Sequence, residues 1–468
     1  MQQGTAPDAT IEDRLEEAIF KAGGILASNR GQLSKVGWSR SSRTDKSVHS
    51  LSTVIGMKME VPVEAFDADP EGQELAAVVN SHLPPEVRVF SIQRVSKSWN
   101  ARSECIRRTY NYWLPASALG LALDGGEADA ARMALLRAAW ERFQGTHPFH
   151  NYTKRRLYRE PAGRDRANRR GVTRADRDRL AAETEGEEAD EVEEEAAADQ
   201  PGGSGSGSSS STGGGGSSAG GGGSGGAGSA TTGAASSGGV DGGGIGVDGS
   251  SEAAPVERGR VQLAWKHEKD GADLVTKRHF RYMEWCRADT EVKPLVPGGQ
   301  PCVQLSLTGG NFMLHQIRHM VGAAVAVARG TMPLELLEAS LATPARVSLP
   351  LAPPSTLMLI GAQFSPFKRS WSGQAAEAAR WTGETLELKE RGAAAQRSFL
   401  QQVMHPALDQ MLAGEEWAQW CTDLDRLWCD PDELQEMLST HATWRAARQE
   451  AKVQAMLEEA AALENREE

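Results

Sequence analysis

PCVQLSLTGGNFMLHQIRHMVGAAVAVARG, Pro301 to Gly330, sets two periodicities side by side. Val303, Leu305 and Leu307 alternate with Gln304, Ser306 and Thr308, the period of a strand with one buried face. Asn311 then predicts a helix cap, and Leu314, Ile317, Val321, Ala324, Val325 and Ala328 form one apolar stripe before Gly330 ends it. A strand feeding a helix within so short a run points to a mixed α and β chain.

The flanking sequence extends that pattern. STLMLIGAQF, Ser355 to Phe364, predicts another strand, as do VRVFSIQRV, Val87 to Val95, and RTYNYWLP, Arg108 to Pro115. Leu51, Thr53, Ile55, Met57 and Met59 alternate with polar neighbours and predict a strand from Leu51 to Val61. Ala130 to Phe143 predicts a helix. Thr10 with Asp13 has the form of a capping box, opening an amphipathic helix whose Ile11, Leu15, Ala18 and Ile19 share a face and which ends near Gly23 and Gly24. Beyond Phe367 the residues are helix formers, with no further strand signal. The expected architecture is α+β, two sheet-bearing halves flanked by helices. Residues 1–115 form the N-terminal half. The C-terminal half begins in 116–160 and resumes in 259–367, and 368–468 is a helical extension.

Between the two parts of the C-terminal half lies a different composition. An Arg-dense run from Lys154 to Arg179 and an acidic run from Glu183 to Asp199 lead into Gly202–Ser250, which is almost wholly Gly, Ser, Ala and Thr. Such a stretch has too little apolar surface to offset the entropy of ordering it, so 161–258 is expected to be a disordered insertion. The net charge of -12 over 468 residues is concentrated in this insertion and the Glu-rich end, and so leaves an anionic partner open. Five scattered cysteines without a C-x-x-C pair suggest neither a disulfide framework nor zinc, and fit a reducing, intracellular compartment. No signal core or membrane span is expected.

Function turns on SSRTDKSVHS, Ser41 to Ser50. Asp45 stands between Arg43 and Lys46, which favour its ionised form and can meet phosphates. Alone, an Asp in a Ser-rich loop reads as a turn residue. An ionised Asp is also what nucleophilic attack or oxocarbenium stabilisation at a sugar requires, but no second acid of matching character lies nearby for a two-carboxylate glycosidase. Basic residues recur along the first half at Arg40, Arg43, Lys46, Arg94, Lys97, Arg102, Arg107 and Arg108, which outline a phosphate-contacting groove. His147 and His150 have an H-x-x-H spacing without cysteine or acid partners, so no metal is called for.

Four stretches in order resemble the TruA-type tRNA pseudouridine synthases, and most closely their eukaryotic and plant-like branch. SSRTDKSVHS is similar to R-T-D-x-G-V-H, and NARSECIRRTYNY to N-A-R followed by R-x-Y-x-Y. GTHPFHNYTK is similar to G-T-H-x-F-H-N-Y/F-T, and NFMLHQIRHMVG to N-x-F-x-x-x-x-x-R-x-x-x-G. The resemblance runs from about Thr10 to Phe367 without the insertion. It implies the pseudouridine synthase fold around a central cleft, tRNA as partner with other RNAs open, and a cofactor-independent, metal-free isomerisation of uridine. It makes Asp45 the essential nucleophile, at ribose C1′ or uracil C6, and Arg318 the partner of that carboxylate. Tyr110 becomes the residue that stacks on the base and Arg43 the one that displaces it. Arg40, Lys46, Arg102, Arg107, Arg108 and His150 are expected to contact RNA.

Two departures qualify the resemblance. Ser47 stands where the family has Gly, which would strain the loop by about 1 to 3 kcal/mol if that position needs a positive φ. The chain begins at MQQGTAPDATIEDRL, without an expected earlier strand carrying Y-x-G-x-x-Y-x-G, which leaves an unpaired edge or indicates a truncated start. A catalytically weak tRNA-binding protein of the same fold and a uracil-releasing N-glycosidase are the alternatives. The compartment is expected to be the nucleus ahead of mitochondrion or plastid, and the oligomeric state stays open.

Overall fold

The computed structural model describes residues 10–62, 64–159, 260–367 and 382–467. The expected insertion, 161–258, lies outside the described residues. Thirteen strands and eleven α-helices are named here among the described residues. In chain order the first part carries α1 (Ile11–Lys21), β1 (Ser39–Arg40), β2 (His49–Ser50), β3 (Ile55–Gly56), α2 (Ala65–Ala68), α3 (Gln73–Asn80), α4 (Ala101–Glu104), β4 (Cys105–Pro115), α5 (Glu127–Glu141) and β5 (Gly145–Pro148). The second carries β6 (Val261–Gln262), β7 (Trp265–His267), β8 (Phe280–Ala288), β9 (Lys293–Pro294), β10 (Pro301–Gly309), α6 (Gln316–Ala328), α7 (Leu334–Ser340), β11 (Ala345–Val347) and β12 (Leu357–Phe364). Helices α8 (Glu390–Phe399), α9 (His405–Leu412), α10 (Glu415–Asp425), strand β13 (Leu427–Trp428) and α11 (Pro431–Glu467) follow.

The strands of the two expected halves interleave in one sheet of seven. Its order is β2-β12-β4-β10-β8-β5, with β9 also on β10. Strand β4 is central: Tyr110 lies opposite Leu307 of β10 and Leu359 of β12, both antiparallel. Alternation along β4 sends Tyr110, Tyr112 and Leu114 to one face, where they pack with Trp140 of α5 and Met320, Val321 and Ala324 of α6. Trp113 points the other way, into a cluster with Met404, Leu408 and Leu412. The fold is therefore α+β, with helices on both faces of a mostly antiparallel sheet. Each fully buried apolar side chain in these layers contributes about 1.5–3 kcal/mol of transfer free energy.

Several sequence expectations change. Helix α1 has the expected capping box on Thr10 and Asp13, yet Ile11 is exposed and Glu12 is fully buried. The face turns inward because Glu12 accepts from Arg40 Nε at 2.9 Å and from Trp38 Nε1 at 2.6 Å. Leu51–Val61 forms a ladder only at Ile55 and Gly56, against β1. Val87–Val95 is extended but not a strand. Asn80 of α3 does the work of a neighbouring strand there, accepting from the Val89 amide and donating to its carbonyl, both at 2.8 Å. The helical extension contains one short strand after all, β13, paired parallel with β6.

Among the described residues no helix is long and apolar enough to cross a membrane. All five cysteines are free thiols.

Candidate active site

Asp45 opens a tight turn. The Val48 amide donates to the Asp45 carbonyl at 3.1 Å, and Ser47, third of the four residues, has φ +65°. A positive φ at that place alone is the pattern of a type II turn, which favours Gly there. Immediately after the turn, β2 pairs parallel with β12, His49 opposite Met358 and Ser50 opposite Leu359. The turn thus hangs from the edge of the sheet, and its carboxylate is held about one quarter exposed.

One partner of that carboxylate comes from far along the chain, just after β10. His315 Nε2 lies 3.7 Å from Asp45 Oδ2, with the imidazole 5% exposed. That separation is ion-pair range for a protonated ring, and longer than a hydrogen bond. The helix expected to start at Asn311 starts at Gln316 instead. His315 is its N-cap, in the left-handed region at φ +59°, and the Gln316 side chain turns back to accept from the Met313 amide at 2.9 Å. Phe312 to His315, the four residues that would have followed an Asn311 cap as the first helical turn, instead form a loop that delivers His315 to Asp45. The helix's N-terminal end also favours negative charge nearby.

Arg318 sits in the first turn of α6, three residues after His315. Its Nε donates to the Ala352 carbonyl at 2.7 Å. The same 350–352 segment explains the glycine four residues on. A Cβ on Gly322 would lie 2.2 Å from the Pro350 carbonyl oxygen, so only glycine lets the helix approach that backbone.

Tyr110 lies on the same side, 6% exposed, its ring edge-on to Phe312 at 5.1 Å between centroids. Burial pushes its phenol up to about 12, Asp45 nearby adds to the rise, and Arg108 and a hydrogen bond with the Ser42 side chain oppose it. The hydroxyl therefore stays protonated at neutral pH. A base that reaches this ring must first displace the groups covering it.

The expected RNA contacts divide. Arg43, Lys46 and Arg102 are exposed. Arg43 and Arg102 are close enough to act on Arg40: burial lowers the Arg40 guanidinium's proton affinity, Glu12 raises it, and the other two arginines lower it further. Arg40 itself is engaged by buried Glu12. Arg107 is half-exposed and paired with Glu284. Arg108 and His150 face inward, contrary to expectation. Arg108 is 9% exposed and donates to backbone carbonyls. His150 is 1% exposed, with Nε2 2.9 Å from the Ala345 carbonyl oxygen, and burial lowers its pKa. Its neighbours act likewise, Asn151 donating to the Ser340 carbonyl and the Tyr152 hydroxyl meeting Ser340 Oγ at 2.6 Å. The HNY stretch is a knot that anchors α7 and β11.

Sequence reasoning overlooked His315 and Phe312. Their signal was present in NFMLHQIR, where His315 precedes Arg318 by three residues, a spacing that brings two side chains to one side of a helix start.

Among the described residues no group of three or more His, Cys, Asp or Glu is arranged to hold a metal ion. Residues 264–365 match a family model described as tRNA pseudouridine synthase, a stretch that holds His315, Arg318 and Gly322 but neither Asp45 nor Tyr110. A mouse protein named pseudouridylate synthase 1 homolog is 30% identical over 166 residues, 34% of this chain and 37% of that one. Proteins named tRNA pseudouridine synthase 1 are similar over shorter spans. The one from Eremothecium gossypii is 40% identical over 113 residues, 24% of this chain and 20% of its own. The one from Saccharomyces cerevisiae is 36% identical over 117 residues, 25% and 20% respectively. This chain therefore spans between a fifth and somewhat over a third of these relatives' lengths.

Proposed function

Since the chain carries a domain of the tRNA pseudouridine synthase family within residues 264–365, we propose that it isomerises uridines in tRNA to pseudouridine, with Asp45 as nucleophile. One observation carries this reading. A single carboxylate on a tight turn of the first part is brought within 3.7 Å of His315, in the matched domain, with Tyr110 beside it.

The chemistry suits one carboxylate. Asp45 attacks the target uridine, at ribose C1′ or at uracil C6, and the bond between N1 and C1′ breaks. The uracil turns in place, C5 joins C1′, the bond to Asp45 breaks and returns its carboxylate, the proton on C5 is lost and N1 gains one. Substrate and product have the same atoms, so the stoichiometry calls for no co-substrate. Arg318, one turn along from His315, supplies fixed positive charge that favours the ionised carboxylate in a partly dry site, and a protonated His315 adds to it. Tyr110, a neutral phenol, offers its ring to the base. Exposed Arg43, Lys46 and Arg102 meet backbone phosphates as the nucleotide leaves its stack, a step that costs a few kcal/mol. The tRNA partner and these roles rest on the family match and on the motif around Asp45.

The test is pseudouridine mapped by position in unmodified tRNA transcripts incubated with the full chain and with Asp45→Asn. Position-specific product from the parent alone supports the proposal. Free uracil would instead indicate an N-glycosidase, and tight, salt-sensitive tRNA binding without product would indicate a holding module.

A further inference from the structure

We infer that Arg108 is a positioning residue, a buried guanidinium that sets Asp45, Tyr110 and His315 in register with one another. The inference rests on the proposed isomerase reading and goes beyond it. Arg108 sits on central strand β4, between Ala362 of β12 and Gly309 of β10. Being two residues before Tyr110, its side chain leaves the sheet on the Tyr110 face.

Its donors reach three segments. Nε and Nη2 donate to the Ser41 carbonyl at 3.0 and 2.6 Å, and Nε also to Ser42 Oγ at 2.9 Å. These are the residues that lead into the Asp45 turn. Nη1 donates to the Gly310 carbonyl at 2.6 Å, with Asn311 Oδ1 at 3.5 Å, where the chain leaves β10 for the His315 loop. Nη1 also lies 3.4 Å from the Cys105 carbonyl at the head of β4. Ser42 in turn hydrogen-bonds the Tyr110 hydroxyl. One planar fork therefore ties the nucleophile's loop to the histidine's loop and, through Ser42, to the tyrosine. Lysine has its donors on one atom and cannot span these directions. The spacing in R-x-Y follows from this geometry: the clamp and the aromatic must share a strand face.

A phosphate-contacting arginine and a clamp respond differently to substitution. Arg108→Met, Arg108→Lys and Arg108→Ala are compared with the parent and Asp45→Asn in the full chain. The readouts are single-turnover pseudouridine formation at saturating tRNA, tRNA affinity across salt concentrations, and amide hydrogen exchange over residues 41–48. The clamp predicts a maximal rate about 100-fold lower, the order expected when reacting groups shift by about 1 Å. It also predicts affinity within about twofold, an unchanged salt slope, and faster exchange over 41–48. Added guanidinium ion restores part of the rate to Arg108→Ala, and none to Asp45→Asn. A parental maximal rate with a salt slope reduced by about one would make Arg108 a phosphate contact and overturn the inference. Where Arg108→Met does not fold, Arg108→Lys decides: parental rate and parental exchange overturn the clamp. A parent that forms no pseudouridine refutes the isomerase reading separately, and exchange over 41–48 still tests the clamp.

Discussion

Replacing Ser47 by glycine should stabilise the turn that carries Asp45. Ser47 has φ +65°, where a Cβ is crowded by its own backbone. For an L-residue that crowding costs about 1–2 kcal/mol. Glycine removes it, but loses more unfolded-chain freedom on ordering, roughly 0.5–1 kcal/mol. The net expectation is a gain of about 0.5–1 kcal/mol for Ser47→Gly. Spread over a chain of this size the melting point would rise by no more than about 2 °C, so a local probe serves better. The Val48 amide, which closes the turn onto the Asp45 carbonyl, reports opening of this turn alone. Its hydrogen exchange should slow about two- to fivefold, the factor that free energy corresponds to. Ser47→Asn, a residue that tolerates the left-handed region, should give part of the effect, and Ser47→Ala none. Equal or faster Val48 exchange in Ser47→Gly, or slowing in Ser47→Ala as large as in glycine, would refute the reasoning. Pseudouridine formation should hold or rise in Ser47→Gly.

Gly322→Ala should destabilise the protein by about 3 kcal/mol, read by denaturant unfolding, because the added methyl meets the Pro350 carbonyl at 2.2 Å and neither backbone can yield cheaply. Asp273→Asn should cost about 2 kcal/mol in the same assay: the carboxylate is 7% exposed and is shared by Arg155 and Arg346 at 3.0–3.1 Å, which would then have only Asp270, at 2.9 and 3.0 Å, as counter-charge. Acid should loosen α11. His267 Nε2 and His441 Nδ1 lie 3.2 Å apart, and burial lowers the pKa of both, so the folded state prefers them neutral. Above about pH 6.5 neither state takes up protons there and stability is unaffected. As pH falls below that value the unfolded chain protonates first, and stability drops until the folded pKa values are passed. The melting-point loss between pH 7.5 and 5.5 should be smaller in His267→Gln; an equal loss would exonerate the pair.

What could be read in the sequence was whatever local pattern decides alone. Strands β4, β10 and β12 and helix α5 follow from alternation or helical spacing, and the turn strain at Ser47 from a missing glycine. The start of α6 did not, because Asn311 is a favourable cap residue and nothing local reveals that the chain bends through His315 first. Val87–Val95 misled for a related reason: an extended apolar run has the same pattern whether a strand or the Asn80 side chain satisfies it. Arg108 and His150 show the limit for charged and polar groups. A basic residue's letter does not say whether its donors will meet phosphate or carbonyl oxygen, and only the strand face that Arg108 shares with a buried tyrosine hinted at the second. Glu12 is the converse case, a charge on a helix's buried face that Arg40 and Trp38 together make tolerable.

The parallel pairing of β2 with β12 has a consequence for the order of events at the ribosome. Once the turn bearing Asp45 has been synthesised, His49 and Ser50 find Met358 and Leu359 as sheet partners only after some three hundred further residues have been added. At about 5–20 residues per second that interval is on the order of 15–60 s, during which the nascent chain holds the carboxylate without the edge that positions it. The carboxylate thus exists well before it can be placed, and translation to β12 marks the earliest moment at which its turn can dock on the sheet.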